Sequence, residues 1–465
     1  MMWSFNQFRS SQAAVESGGG SITYGLLAEE GAGLYSAIGR RCLVICLCSN
    51  SIGSLVGYTS FINNRVVPLM LDSNADIQLI LSIIDKYQPQ YIWAPESFKD
   101  TFGSFEQVSG CRGYSLFKTG FGDCDMFGEL ALLLATSGST GSPKMVRLSY
   151  GNVEANMLSI AQYLELNADE RPITTLPMNY SYGLSIINSH LHVGAVLLMT
   201  DRSVMEREFW SFFREQGATS FGGVPYTYEM LDRLRFYRME LGSLKTMTQA
   251  GGKLSYDLHK KFAQYAADSG KRFIVMYGQT EATARMTYLP HEKALEKCGS
   301  IGVPIPGGRV LIIGGNGEPD KAGELIYEGD NVSLGYAESR DDLRRGDENN
   351  GRLVTGDMAR QDDDGYLFIT GRKKRFLKIF GSRVSLDEAE HLVKAGFSGL
   401  GCACSGADDA MYIFIDQKDM EDAVKKYMVS KTGIHHSAFK VMHIDPIPKN
   451  EAGKIQYGAL EKYFK

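Results

Sequence analysis

Between Leu27 and about Glu96, apolar runs of strand length alternate with segments of helical periodicity, and this alternation constrains the fold of the 465-residue chain more than any other feature. Helices are expected over Leu27–Arg40, Ser51–Asn63 and Asp76–Tyr87, and strands over Cys42–Cys48, Val66–Leu71 and Tyr91–Ala94. Strands joined through helices run parallel, because each helix carries the chain back to the starting edge. The pattern therefore predicts an α/β fold built on doubly wound, mainly parallel sheets. A second such stretch runs from Gly151 to Arg238, with strands expected at Thr174–Leu176, Ala195–Met199 and Thr219–Val224.

After Gly299 the grammar changes to short strands and Gly/Asp turns, such as Asp362-Asp363-Asp364-Gly365, and a β-rich subdomain is expected there. The length is about three times that of a typical single domain. We expect a large N-terminal domain over residues 1–372 and a small, mobile C-terminal α+β domain over 373–465. The basic run Arg372-Lys373-Lys374-Arg375 stands at the joint.

With 49 Lys+Arg against 54 Asp+Glu the formal charge is −5, so no global positive field gathers phosphate backbones and nucleic acid is not an expected partner. The longest apolar runs are strand-sized, which predicts no membrane span, and the N-terminus lacks a basic start with an apolar core, so a cytoplasmic location is expected. Eight scattered cysteines fit reduced thiols better than a disulfide framework. The pairs Cys46/Cys48 and Cys402/Cys404 read as cysteines sharing one face of a strand.

Chemistry concentrates first at Leu134 to Lys144. A strand-like run opens there into Thr136, Ser137, Gly138, Ser139, Thr140 and Gly141, followed by Lys144. Glycines let backbone N–H groups converge on an anion, hydroxyls add donors and Lys adds charge, so phosphate binding is one reading. An ordinary surface turn is the other. A Walker A loop is excluded, because Pro143 stands where its second glycine belongs and Met145 where its Ser/Thr belongs.

This loop and five further segments, in matching order and spacing, resemble the acyl-adenylate-forming enzymes, the family of acyl-CoA synthetases, peptide-synthetase adenylation domains and firefly luciferase. The segments are Tyr277-Gly278-Gln279-Thr280-Glu281, Gly299-Ser300-Ile301-Gly302, Thr355-Gly356-Asp357, Gly371-Arg372 through Lys378, and Pro448 through Lys454. The resemblance covers nearly the full length. It implies an ATP- and Mg²⁺-dependent acid–thiol ligase that forms acyl-AMP, releases pyrophosphate and passes the acyl group to coenzyme A. A ligase loading the pantetheine arm of an acyl carrier protein is the alternative, and a non-catalytic nucleotide-binding relative is a reading from another class.

The resemblance also implies residue roles. Thr136 to Gly141 and Lys144 would cradle the β- and γ-phosphates. Thr280 would donate to the α-phosphate and Glu281 would help hold Mg²⁺. Tyr277 would pack on adenine, with Gly278, Gln279 and the turn through Gly251 and Gly252 beside it. Asp357 would accept from both ribose hydroxyls, a carboxylate offering two acceptor oxygens to a diol. Arg372 would add a second ribose or phosphate contact, Lys374 would be the hinge and Gly381 would line the thiol entrance. Lys454 would be the catalytic cation. Tyr180, Gly222, Gly223 and Met276 are the candidate acid pocket. Tyr180 stands where many acyl-CoA synthetases carry His, and Gly183 where peptide-synthetase domains carry the Asp that binds an amino group, so an α-amino acid substrate is not expected.

Overall fold

The computed structural model describes the whole chain apart from residues 1, 136–143, 315–321, 373–374, 380–381, 408, 433, 451–452 and 465. Its described residues divide into two compact units, the first from Met1–Gly138, Ser142–Arg309 and Tyr327–Leu353, the second from Val310–Ile326 and Val354–Lys465.

The expected alternation appears in the first unit as helices Tyr24–Ile38, Ile52–Asn63 and Ile77–Tyr87 between strands Leu43–Cys48, Val67–Asp72 and Tyr91–Pro95. Local chemistry sets the helix ends: Ser51 and Asp76 cap two N-termini with side-chain acceptors, and Gly39 closes the first helix at φ 68°. Leu43–Cys48 lies buried along its whole length and pairs in parallel with both neighbouring strands, which explains its unbroken apolar run. These strands belong to an eight-stranded sheet that continues through Leu130–Ala135 and Met145–Ser149 to an edge strand, Gly335–Ala337.

The other large sheet has nine strands. Its centre runs parallel through Pro172–Ile173, Ser220–Gly223, Thr246–Gln249 and Arg272–Tyr277, and antiparallel Thr287–Tyr288 and Val303–Pro304 complete one edge. The strand expected at Thr174–Leu176 sits earlier, at Pro172–Ile173. The Thr174 hydroxyl donates to the Thr200 carbonyl and accepts from the Thr200 N–H, each at 2.8 Å, so a side chain takes over the ladder there.

The second unit takes in most of a four-stranded sheet, in which Arg352–Gln361 and Leu367–Arg372 form a hairpin around the Asp362–Gly365 turn. Beyond it lie the pair Phe376–Ile379 and Ser382–Ser385, a three-stranded sheet (Cys402–Ala407, Ala410–Ile415, Phe439–His443), and helices Leu386–Gly396 and Glu421–Thr432. Both C-x-C pairs lie on strands with their thiols buried and free. Among the described residues no helix is long and apolar enough to cross a membrane.

A buried cation ties the edge strand to the first unit. Arg147 has a fully buried side chain whose guanidinium donates to the carbonyls of Tyr336, Leu334, Gly346 and Arg345 and pairs with Glu348 at 2.5 Å. Truncating it would remove a donor from the buried Leu334 carbonyl and from three part-buried ones, along with the ion pair to Glu348. Arg147→Ala should lower unfolding free energy by about 2–4 kcal/mol, read as a fall in the urea midpoint at unchanged slope. An unchanged midpoint would show that these carbonyls find other partners.

Candidate active site

The central parallel strands all end on one edge of the nine-stranded sheet, the edge where open α/β sheets bind ligands. Gly222 and Gly223 end the strand Ser220–Gly223, Gly251 and Gly252 follow Thr246–Gln249, and Met276 and Tyr277 end Arg272–Tyr277, with Gly278, Gln279, Thr280 and Glu281 next in the chain. The registers Gly222↔Thr248, Gly223↔Gln249 and Gln249↔Val275 align these ends.

Two glycines are required by geometry. Gly251 has φ 81°, and a Cβ on it would lie 2.7 Å from the Tyr180 hydroxyl, so the turn and the tyrosine share one wall. At Gly278 a Cβ would lie 1.6 Å from the Ala284 carbonyl oxygen, because the chain after Glu281 folds straight back across it. That return uses Thr283 at φ 61° and Ala284 at φ 147°, conformations that cost a non-glycine residue on the order of 1–3 kcal/mol each. Hydrogen bonds hold them. The Thr283 hydroxyl donates to Asn331 O at 2.6 Å, and the Asn331 amide donates to Ala282 O and Arg285 O at 2.8 and 2.9 Å.

This folded-back segment presents Thr280 and Glu281, both half-buried. The Thr280 hydroxyl lies 3.1 Å from that of Ser181. The Tyr336 phenol donates to Glu281 Oε1 at 2.7 Å, and burial together with that carboxylate pushes the Tyr336 hydroxyl well above its ordinary titration range, so it remains a donor. Just beyond Tyr336, Glu338 pairs with Lys144 at 2.5 Å, both side chains being exposed; the lysine holds the Glu338 carboxyl below its usual range. One short segment thus carries partners for both Glu281 and Lys144. Sequence reasoning missed Tyr336, Glu338 and Ser181, since nothing in the local text marks a residue whose importance comes from the strand it pairs with.

Tyr277 accepts from the Gln279 amide at 3.3 Å. Tyr180 sits edge-on to Tyr182 with ring centroids 6.3 Å apart, and Met276 receives the Tyr163 hydroxyl at 3.1 Å. In the second unit Asp357 and Arg372 face each other across the hairpin, Arg372 Nε 3.1 Å from Asp357 Oδ1, and the Asp357 N–H donates to the Thr355 hydroxyl at 3.1 Å. The two residues with expected ribose roles are therefore cross-strand neighbours. Lys454 closes a tight turn: its N–H donates to Asn450 Oδ1 at 2.9 Å, its carbonyl accepts from Asn450 N at 2.8 Å, and Gly453 stands at φ 71°. Thr136, Ser137, Gly138, Ser139, Thr140, Gly141, Lys374 and Gly381 lie outside the described residues.

For Mg²⁺, a hard cation that takes oxygen ligands, the half-buried Glu281 carboxylate beside the Thr280 hydroxyl is a fitting donor set. Glu281 retains acceptor capacity after accepting from Tyr336, because a carboxylate offers about four lone-pair positions. Gly278→Ala should lower the thermal midpoint by roughly 5 °C or more, since backbone must move. Gly252→Ala, whose Cβ would meet the Pro225 ring, Cγ at 3.1 Å and Cδ at 3.4 Å, should shift it far less. Equal shifts would remove the close crossing as the reason for glycine.

Residues 124–337 match the family model described as AMP-binding enzyme. The chain is 28% identical over 355 residues to a feruloyl-CoA synthase of an Amycolatopsis species, covering 72% of this chain and 70% of that one. It is 27% identical to a 2-succinylbenzoate–CoA ligase of Bacillus pumilus, covering 72% and 69%. Among solved structures it resembles the O-succinylbenzoate coenzyme A synthetase of Bacillus subtilis in complex with AMP, with TM-score 0.80, 20% identity, and 99% and 97% of the two chains covered. It is as similar to ATP-bound MatB from Rhodopseudomonas palustris, with TM-score 0.80, 22% identity, and 97% and 96% covered. The AMP-binding match over residues 124–337, the curated coenzyme A ligases among the relatives and the shared fold all support one superfamily for this chain, that of the AMP-binding acyl-CoA synthetases.

Proposed function

We propose that this ligase activates a carboxylic acid with ATP, forms acyl-AMP and pyrophosphate, and transfers the acyl group to coenzyme A. The observation that carries the reading is the meeting of Gly222, Gly223, Gly251, Met276, Tyr277, Thr280 and Glu281 on one edge of the parallel sheet. Joining a carboxylate to an α-phosphate brings two anions together, so the site must supply cations and donors aimed at the developing charge. The Thr280 hydroxyl is a donor for the α-phosphate. Glu281 would hold Mg²⁺, which offsets the charge of the polyphosphate when bound. Lys144, with the Thr136–Gly141 loop, takes the β- and γ-phosphates, exchanging its exposed partner Glu338 for them at little cost. Asp357 receives the ribose hydroxyls and Arg372 stands beside it.

We assign Lys454 as the cation of the adenylating step. Residues 373–465 act as the mobile part, pivoting at Lys374, and Gly381 lines the path of the thiol. The named activities of the relatives favour coenzyme A over a carrier protein as acceptor. Lys454→Ala should slow acyl-AMP formation by roughly 10²–10³ while transfer from preformed acyl-AMP to coenzyme A survives. Pyrophosphate release and thioester formation measured separately would check this, and parental rates of pyrophosphate release would refute the assignment.

The substrate is an acid without an α-amino group. A Cβ on Gly183 would lie 2.3 Å from the Pro177 carbonyl oxygen, so no carboxylate side chain fits at this helix position to balance an ammonium. An ammonium buried without a counter-charge is costly. Free amino acids should give pyrophosphate release far below that of matched acids lacking the amine, and strong turnover of a single amino acid would contradict the reading.

A further inference from the structure

Behind Gly222 the first unit encloses a small cavity of about 20 Å³, room for roughly one water-sized group. Its lining includes Glu170, Ser189, His190, Gly222, Thr248 and Arg285. It adjoins the candidate acid pocket: Gly222 belongs to both, and Met276 touches the Arg285 guanidinium. Tyr182 packs its ring beneath that guanidinium at 4.6 Å and hydrogen-bonds Thr248 at 2.8 Å.

Two polar atoms here have unmet needs. Arg285 is 1% exposed and His190 3% exposed. Arg285 Nε reaches the Ser185 hydroxyl and Nη1 the Tyr163 hydroxyl, at 3.2 and 3.0 Å, yet buried Nη2 has no hydrogen-bond partner among the described residues. Buried His190 Nε2 has none either. The character of that nitrogen follows from its ring. Nδ1 lies 2.8 Å from the Ile186 carbonyl, which can only accept, so Nδ1 carries the proton. Burial holds the imidazole neutral, with its pKa pushed down to about 4. His190 Nε2 therefore presents a lone pair and Arg285 Nη2 an N–H.

A group that accepts from one and donates to the other satisfies both. A hydroxyl does this, whereas a carboxylate offers nothing to His190 and faces Glu170, a buried carboxyl group on the same cavity that receives the Thr219 hydroxyl. An alkyl group would leave both polar atoms unpaired, at a cost of about 1–3 kcal/mol for each buried group. Resting on the ligase reading above, we propose that the acid carries a hydroxyl on the part remote from its carboxylate, seated between Arg285 and His190. These two residues then determine specificity and take no part in the adenylation chemistry itself.

The test compares pyrophosphate release for matched acids that differ only in a terminal hydroxyl, across a ladder of aliphatic chains and aryl acids, with the corresponding dicarboxylates as a third arm. The parent enzyme should favour one hydroxylated acid over its deoxy partner by at least about tenfold in kcat/KM. His190→Leu, which removes the acceptor, should bring that ratio close to one while the deoxy acid is still used, and Arg285→Met should narrow it likewise. A parental ratio near one for acids that do react, or preference for a dicarboxylate, overturns the inference and leaves the ligase reading intact, the cavity then holding a structural water. Release with no carboxylic acid at all overturns both.

Discussion

The close crossing of Gly278 over Ala284 is the contact on which the candidate site depends. The strand Arg272–Tyr277 ends in the sheet, the chain turns through Thr280 and Glu281, and it returns antiparallel at Thr287–Tyr288. That path is too short to avoid two left-handed residues, Thr283 and Ala284, and it persists because Asn331 and Asn156 hold the carbonyls around it. The same turn sends Glu281 toward Tyr336 and drives Arg285 into the interior. Strain at this place is offset by satisfied backbone acceptors elsewhere in the unit.

Two buried arginines show how differently a cation can be accommodated. Arg147 is surrounded by carbonyls and reaches a carboxylate, so its charge is spent on fixing the edge strand Gly335–Ala337. Arg285 contacts hydroxyls, a thioether and a tyrosine face, and one of its nitrogens has no hydrogen-bond partner among the described residues. A guanidinium without full pairing in a cavity wall is expensive for stability alone. That imbalance is the ground for the specificity role proposed for Arg285, whereas the pairing of Arg147 is accounted for by the edge strand it fixes.

Much of this was legible from the text because periodicity and turn chemistry are local. Helix Asp76–Tyr87 was readable from its apolar stripe and is capped by Asp76, and the Asp362–Gly365 turn announced its hairpin. The expected strand at Thr174–Leu176 sits earlier because a hydroxyl displaced the backbone ladder, an event that periodicity cannot register. Tyr336 and Arg285 stayed invisible for a related reason: neither lies in a distinctive segment, and their partners are 55 and 100 residues away.

The sequence by itself carried the resemblance to the family, the α/β architecture and the candidate segments for chemistry, since glycines, hydroxyls and charges at set spacings have few uses in a loop beside a strand. Only the tertiary structure decided which of them share a wall. Parallel pairing aligned the ends of three strands separated by long stretches of chain, so Gly222, Gly251 and Met276 became neighbours. Burial then stripped water from His190 and Arg285 and left a donor and an acceptor whose need for a partner exists only in the folded chain.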